Sequence, residues 1–172
     1  PEIGTVHQED GILVFTSEGN DKLVSLNLNS ASGYPLDQKT VVEANLSVDQ
    51  SSYGAHLGLY VNFPHEQGEA VCQIQAWDVD VIHCWTHFFG ITHDLQVQPI
   101  TPGSWHKVRI EISDLEPITF DFYADEKHLG QIIPERAGEI SKWLDDVGFQ
   151  FISYEIKLNY GYVDDVYFGP AR

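Results

Sequence analysis

The sequence predicts an all-β domain, a two-sheet antiparallel β-sandwich of the jelly-roll type with one short helical segment. Three observations carry this. Short apolar runs recur along the chain, each about as long as one strand. Turn residues are dense between them: Gly19-Asn20-Asp21, Gly33-Tyr34-Pro35, Pro64, Gly68, Pro102-Gly103 and Asp125-Glu126. No internal repeat, low-complexity tract or linker interrupts the 172 residues, so residues 1–172 read as one domain, long enough to bury a substantial core.

In chain order, strands are expected near residues 11–16, 23–28, 40–48, 56–62, 70–77, 81–88 and 91–97. More are expected near 105–112, 118–124, 128–132, 147–153 and 162–168. Their warrant is β-branched and aromatic content between breakers, with period-two alternation clearest in "KVRIEI". The exception is residues 135–144, "ERAGEISKWL", which can form a turn or two of helix with Ile140, Trp143 and Leu144 on one side. Trp105, Phe120, Phe122 and Trp143 are expected in the core, as most strand aromatics are.

Charge excludes several functions. Asp and Glu number 26 against 9 Lys and Arg, a net charge of −17, and residues 40–106 contain no Lys or Arg. A nucleic-acid backbone needs cationic contacts, and an anionic membrane surface needs the same. No apolar stretch approaches the roughly 20 residues of a membrane span, so no membrane insertion is expected. The chain has no methionine, not even at position 1, and is read as a mature or excised piece of a longer protein.

A hairpin centred on Asp78 sets opposite each other residues whose numbers sum to 156, and Cys72 and Cys84 satisfy that sum. Cross-strand neighbours lie within disulfide reach. Oxidation is favoured over two reduced core thiols, because an even cysteine count in a secreted-looking β domain fits a disulfide. The cysteines then face the core. The opposite parity places Gln73, Gln75, Trp77, His83, Trp85 and His87 together on the other face, with Asp78 joining from the turn. Sugars stack apolar faces on aromatic rings and need polar partners for their hydroxyls, so this strip suits a neutral sugar. His83 and His87 also have the i, i+4 spacing of a helical zinc pair. In a strand they stand roughly 13 Å apart, at about 3.3 Å per residue, too far for one ion.

The last strand poses a problem: Asp164 and Asp165 sit among the strand formers Tyr162, Val163, Val166, Tyr167 and Phe168. Alternation sends them to opposite faces, so one is expected to turn toward the interior or toward a metal.

"PGSWHKVRIEI", "ITFDFYADEKHLGQ" and "YGYVDDVYFG", in this order and spacing, resemble the concanavalin A-like jelly roll in its laminin G-like and lectin/glucanase branch. The likeness is clearest from Pro102 to Gly169, and "EDGILVF" resembles its usual first strand. The resemblance implies a structural calcium between the first and last strands, held by Asp165 or Asp164 with carbonyls near Glu9 to Gly11. The alternative is that one carboxylate caps a backbone amide and the other faces water. Relatives on bacterial surfaces often carry a similar cysteine pair. Glucanases of this fold carry Glu-x-Asp-x-x-Glu on one strand. "EISDLE" departs from it, because Asp114 falls one residue late between Glu111 and Glu116 and so points to the other face. "WDVD" offers Asp78 and Asp80 without a partner Glu.

The reading reached is a non-catalytic, lectin-like carbohydrate-binding module of an extracellular or cell-surface bacterial protein. The runner-up is a glycoside hydrolase of the same fold with an unrecognised acidic site. The third is a structural or protein-interaction module.

Overall fold

A computed structural model describes residues 3–18, 22–28, 33–65, 67–155 and 157–171. The turn expected at Gly19-Asn20-Asp21 lies outside the described residues. The strands in chain order are β1 (Ile3–Glu9), β2 (Ile12–Glu18), β3 (Lys22–Asn27), β4 (Tyr34–Pro35), β5 (Thr40–Val48) and β6 (Ala55–Phe63). Then come β7 (Gly68–Ala76), β8 (Val81–Phe88), β9 (Ile91–Asp94), β10 (Gln98–Pro99) and β11 (His106–Leu115). The last are β12 (Ile118–Ala124), β13 (Lys127–Ile132), β14 (Trp143–Leu144), β15 (Asp146–Ser153) and β16 (Leu158–Pro170).

They form two antiparallel sheets. One has the order β1-β2-β16-β5-β11-β12-β13, and the other β10-β8-β7-β6-β15-β3 with β9 added beside β8. The short pair β14-β4 stands apart. The sheets interleave distant parts of the chain: β16 lies between β2 and β5, and β15 between β6 and β3. Inner faces meet through aromatic contacts. Phe15 of the first sheet packs on Phe149 and Phe151 of the second at 6.5 and 6.4 Å. Phe120 packs on Phe63 and Phe88 at 5.9 and 5.5 Å. All six phenylalanines are buried, and such pairs each add about 1 kcal/mol to their area burial.

The hairpin register matches the arithmetic: Cys72 pairs with Cys84 and Gln73 with His83. Cys72 and Cys84 are disulfide-bonded. From Ala70 onward the even positions of these strands, including Ile74, Ile82, Thr86 and Phe88, are buried against the other sheet.

Four expectations are corrected. β1 was not anticipated, because His7, Gln8 and Glu9 are polar and exposed and no apolar alternation marks the strand. The helical segment contracts to a 3₁₀ turn at Ala137–Glu139, while Trp143 and Leu144 form β14. Ile140 and Leu144 are buried, but Trp143 is 39% exposed and Trp105 45% exposed, so neither tryptophan is a core residue. Trp105 lies before β11 against Tyr162 on the outside of the first sheet. Finally, the pairing of β16 with β5 slips between Asp164 and Tyr167. Asp165 adopts φ 49°, a left-handed conformation Asp tolerates, and its N–H donates to Asp164 Oδ1 at 2.8 Å. The acidic pair therefore forms a β-bulge, which interrupts alternation and leaves both carboxylates outside the core.

No helix of the described residues is long and apolar enough to cross a membrane. The disulfide yields a stability prediction. The double variant Cys72→Ala/Cys84→Ala is expected to lose about 3 kcal/mol on the chain-entropy model. That corresponds to a fall in Tm of roughly 10 °C, measured by calorimetry beside the oxidised protein.

Candidate functional site

The outer face of the second sheet is built by the odd residues of β7 and β8 and the even residues of β6 and β15. Register joins them into rungs across the strands. One rung runs Gln150, Gly58, Gln73, His83, and the next runs Ile152, His56, Gln75, Val81. Gly58 makes the floor low. A Cβ there would stand 2.9 Å from Gln73 Cβ and 3.4 Å from Gln73 Oε1, so only glycine leaves this space open.

Over these rungs lies a groove of about 370 Å³. Its lining includes His56, Gln73, Gln75, His83, Trp85 and Tyr154, with Thr92 and Asp94 at the β9 side and Gln150 and Ile152 at the β15 side. Two aromatic groups bound it. On one side Trp85 lies against His83, ring centroids 5.1 Å apart. On the other, Trp77 and Tyr154 stack at 6.0 Å and 24°, with Tyr53 edge-on to Trp77. Gly54 fixes this end: its N–H donates to Ala76 O and its O accepts from Tyr154 N–H, both at 2.7 Å.

Gln73, Gln75 and His83 are hydrogen-bonded within the floor. Gln73 Nε2 donates to His56 Nδ1 and Gln75 Nε2 to His83 Nδ1, each at 3.3 Å, and His83 Nε2 reaches Asp94 Oδ1 at 3.0 Å. Burial, helped by the nearby His83, pushes His56 down to about 4, so its imidazole is neutral across the physiological range. His56 Nε2 is buried without a hydrogen-bond partner.

The sequence-predicted residues divide cleanly. Gln73, Gln75, His83 and Trp85 line the groove. Trp77 belongs to its aromatic end through Tyr154 and His56. Asp78 is exposed at the hairpin tip and does not line the groove. His87 bonds Thr92 at 2.8 Å and lines a separate cleft of about 300 Å³ with Glu69, Asn62 and Asp146. Burial raises Glu69 above the usual carboxylate range, against an opposing effect of His87. Sequence reasoning missed His56, Thr92, Asp94, Gln150, Ile152 and Tyr154. His56 stood in an expected strand, but only the cross-strand register places it beside Gln75.

Other candidate groups are engaged within the fold. Asp80 is buried, and so is Glu111, in an ion pair with Lys39. Glu116 pairs with Lys142, and the side chain of Asp114 lies outside the described residues. The outer face of the first sheet also has clefts, of about 350 and 230 Å³. Its cations are already paired: Lys107 with Glu43 and Glu126, and Arg109 over the Tyr123 ring at 3.9 Å. Asp165 lines the larger cleft with Lys107 and accepts a hydrogen bond from Asn45 Nδ2 at 2.8 Å. Among the described residues, no group of three or more His, Cys, Asp and Glu is arranged to hold a metal ion.

No protein-family model matches the chain, and no curated protein matches it in sequence. Solved structures do match. A prokaryotic β-1,3-1,4-glucanase (lichenase) derived from a mouse hindgut metagenome is 11% identical, TM-score 0.67, covering 96% of this chain and 83% of that one. The carbohydrate recognition domain of Emp46p is 12% identical, TM-score 0.66, covering 94% and 86%. The alginate lyase Aly36B, as a mutant in complex with alginate trisaccharide, is 12% identical, TM-score 0.61, covering 97% and 85%. At these identities the likeness establishes the fold: the jelly-roll sandwich these proteins share.

His56 gives a pH prediction. Its folded value lies below the ordinary 6.5, so on acidification the unfolded chain takes up the proton first. The neutral imidazole contributes fully above about pH 6.5, and its contribution is lost as pH falls toward 4, in all about 3 kcal/mol. Urea denaturation between pH 7.5 and 4 is expected to show this loss in the native sequence, and a shallower one in His56→Gln.

Proposed function

We propose that this protein is a non-catalytic, lectin-like carbohydrate-binding module, and that the groove over β6, β7 and β8 receives the glycan. The observation that carries this is the pairing of aromatic walls, Trp85 on one side and Trp77–Tyr154 on the other, with an amide and imidazole floor. Apolar sugar faces stack on such rings while hydroxyls meet Gln73, Gln75 and Gln150. The lining has no Lys or Arg, which favours a neutral chain over an anionic one. The likeness to a lichenase, a carbohydrate recognition domain and a lyase with bound trisaccharide supports a glycan ligand.

Hydrolysis by the usual route requires two carboxylates across the scissile bond. The groove lining has one, Asp94, and it is engaged by His83. The reading places the domain in an extracellular or cell-surface bacterial protein of the laminin G-like branch, a setting the disulfide suits. A glycan array followed by calorimetric titration tests it. Trp85→Ala is expected to weaken the best ligand about tenfold, the loss of one stacking partner. No reducing ends are expected from laminarin, xylan or agarose. Binding unaffected by changes at Trp85, Trp77 and Gln73 would overturn the assignment of the groove, and sustained turnover would favour the hydrolase.

Calcium enters as a separate proposal, supported by the jelly-roll resemblance and the exposed oxygens of Asp164 and Asp165. An ion would have to take Asp165 from Asn45 and Asp164 from the bulge amide, beside the Lys107 ammonium. Binding at a hundredfold excess over Kd stabilises by about 2.7 kcal/mol. Calcium should then raise Tm by several degrees over demetallated protein, an effect abolished in Asp165→Asn. Superimposable curves would leave the pair as bulge residues alone.

A further inference from the structure

The inference rests on the glycan-binding reading of the groove and concerns how its hydrogen-bonding pattern is set. Two glutamine amides and two imidazoles are paired across the floor: Gln73 with His56, and Gln75 with His83. An amide NH₂ can only donate, so Nδ1 of each ring must be an unprotonated acceptor. Each neutral ring then carries its proton on Nε2. His83 Nε2–H donates to Asp94 Oδ1, which closes a directed chain from Gln75 through His83 to Asp94. His56 has no such outlet, and its ring is packed against Trp77 and Tyr154 at 5.4 and 4.9 Å. With the NH₂ anchored to a ring, the amide oxygen points elsewhere. Gln73 Oε1 lies over the open space at Gly58.

We propose that His56 and His83 are positioning residues that hold Gln73 and Gln75 in one amide orientation, so that the groove offers carbonyl oxygens to sugar hydroxyls, and that protonation of His83 inverts this pattern at Gln75.

The inversion follows from donor counting. A proton added to His83 goes on Nδ1, directly opposite the Gln75 NH₂. Two donors then face each other, and the repulsion is relieved when the amide turns by half a revolution. Gln75 then directs its NH₂ where its oxygen stood, and a hydroxyl that donated to it loses its acceptor. The charged and titratable groups facing His83 are Asp94 on β9, which accepts from Nε2 in both states, and His56 on β6, whose charge would oppose that of His83. Its β7 partner Gln73 and its hydrogen-bond partner Gln75 carry no charge, nor do Gln98 and Pro99 of β10, which pair with the adjacent Ile82 and Val81. His56, held neutral well into acid by burial, keeps Gln73 fixed. The switch is therefore confined to the His83–Gln75 pair.

Long-range ¹H–¹⁵N correlation spectra of the labelled chain test the tautomers and the amides without any ligand. At pH 7.5 both rings are expected to show protonated Nε2 and bare Nδ1. As His83 takes up its proton, the Gln75 side-chain amide is expected to shift in the same step, while that of Gln73 stays put. Calorimetric titration with the best glycan from the array is expected to show affinity falling about tenfold across that step, the weight of one hydrogen bond exchanged for a clash. His83→Gln, with His83→Asn as a second variant should the first fold poorly, is expected to abolish the step in affinity. A ring protonated on Nδ1 at pH 7.5, or a Gln75 amide that stays still while His83 titrates, overturns the proposal in the native sequence. If the amide turns as described and no glycan binds at any pH, the positioning stands and the glycan selection falls with the reading it rests on.

Discussion

The register of the hairpin between β7 and β8 is the constraint on which the site depends. Side chains alternate with period two, so a slip of one residue would send every core side chain outward and every groove side chain inward. Two features hold the register. Cys72 and Cys84 are bonded directly across it, and the alternate positions carry Ala70, Ile74, Ile82 and Phe88 into the sandwich. The same parity aligns Gln73 with His83, and through Gly58 and His56 it extends to Gln150 and Ile152 on β15. Core and groove are the two sides of one pairing.

The distribution of charge complements this geometry. In a protein of net charge −17, Lys39, Lys107 and Arg109 lie on the first sheet, paired with carboxylates. The groove face relies instead on imidazoles and amides, which are polar at neutral pH without carrying full charge. Such groups can be partly buried at modest cost, provided each is hydrogen-bonded. Where that fails, as at His56 Nε2, the environment keeps the ring neutral.

Local features were legible in the sequence and long-range ones were not. The hairpin centre, the cysteine pairing and the common face of Gln73, Gln75, His83 and Trp85 all follow from counting along neighbouring strands. The partners on β15 do not, because β15 joins β6 only after the chain has passed through β11, β12 and β13 of the other sheet; His56 was within reach of the same counting across the β6–β7 hairpin. Tyr154 meets Trp77 through the backbone of Gly54, a contact with no sequence periodicity. The exposure of Trp105 and Trp143 escaped prediction for a related reason: an aromatic residue near a short strand fits either face, and only the packed sheets decide which. Asp164 and Asp165 showed that the last strand was irregular. Their bulge could not be told from a metal ligand by composition, since both uses favour the same carboxylate.

Gly58 has a consequence for how such a surface diversifies. The space above the floor exists because one position in the middle of β6 lacks a side chain, with Gln73 2.9 Å from where a first carbon would stand. Sandwich stability has little stake in that absence, because Leu57 and Leu59 on either side do the burying. A lineage could therefore gain or lose a receptor by exchanging a single methyl group while the scaffold goes on folding. Position 58 would then act as a gate on the evolution of recognition, separate from the evolution of the fold.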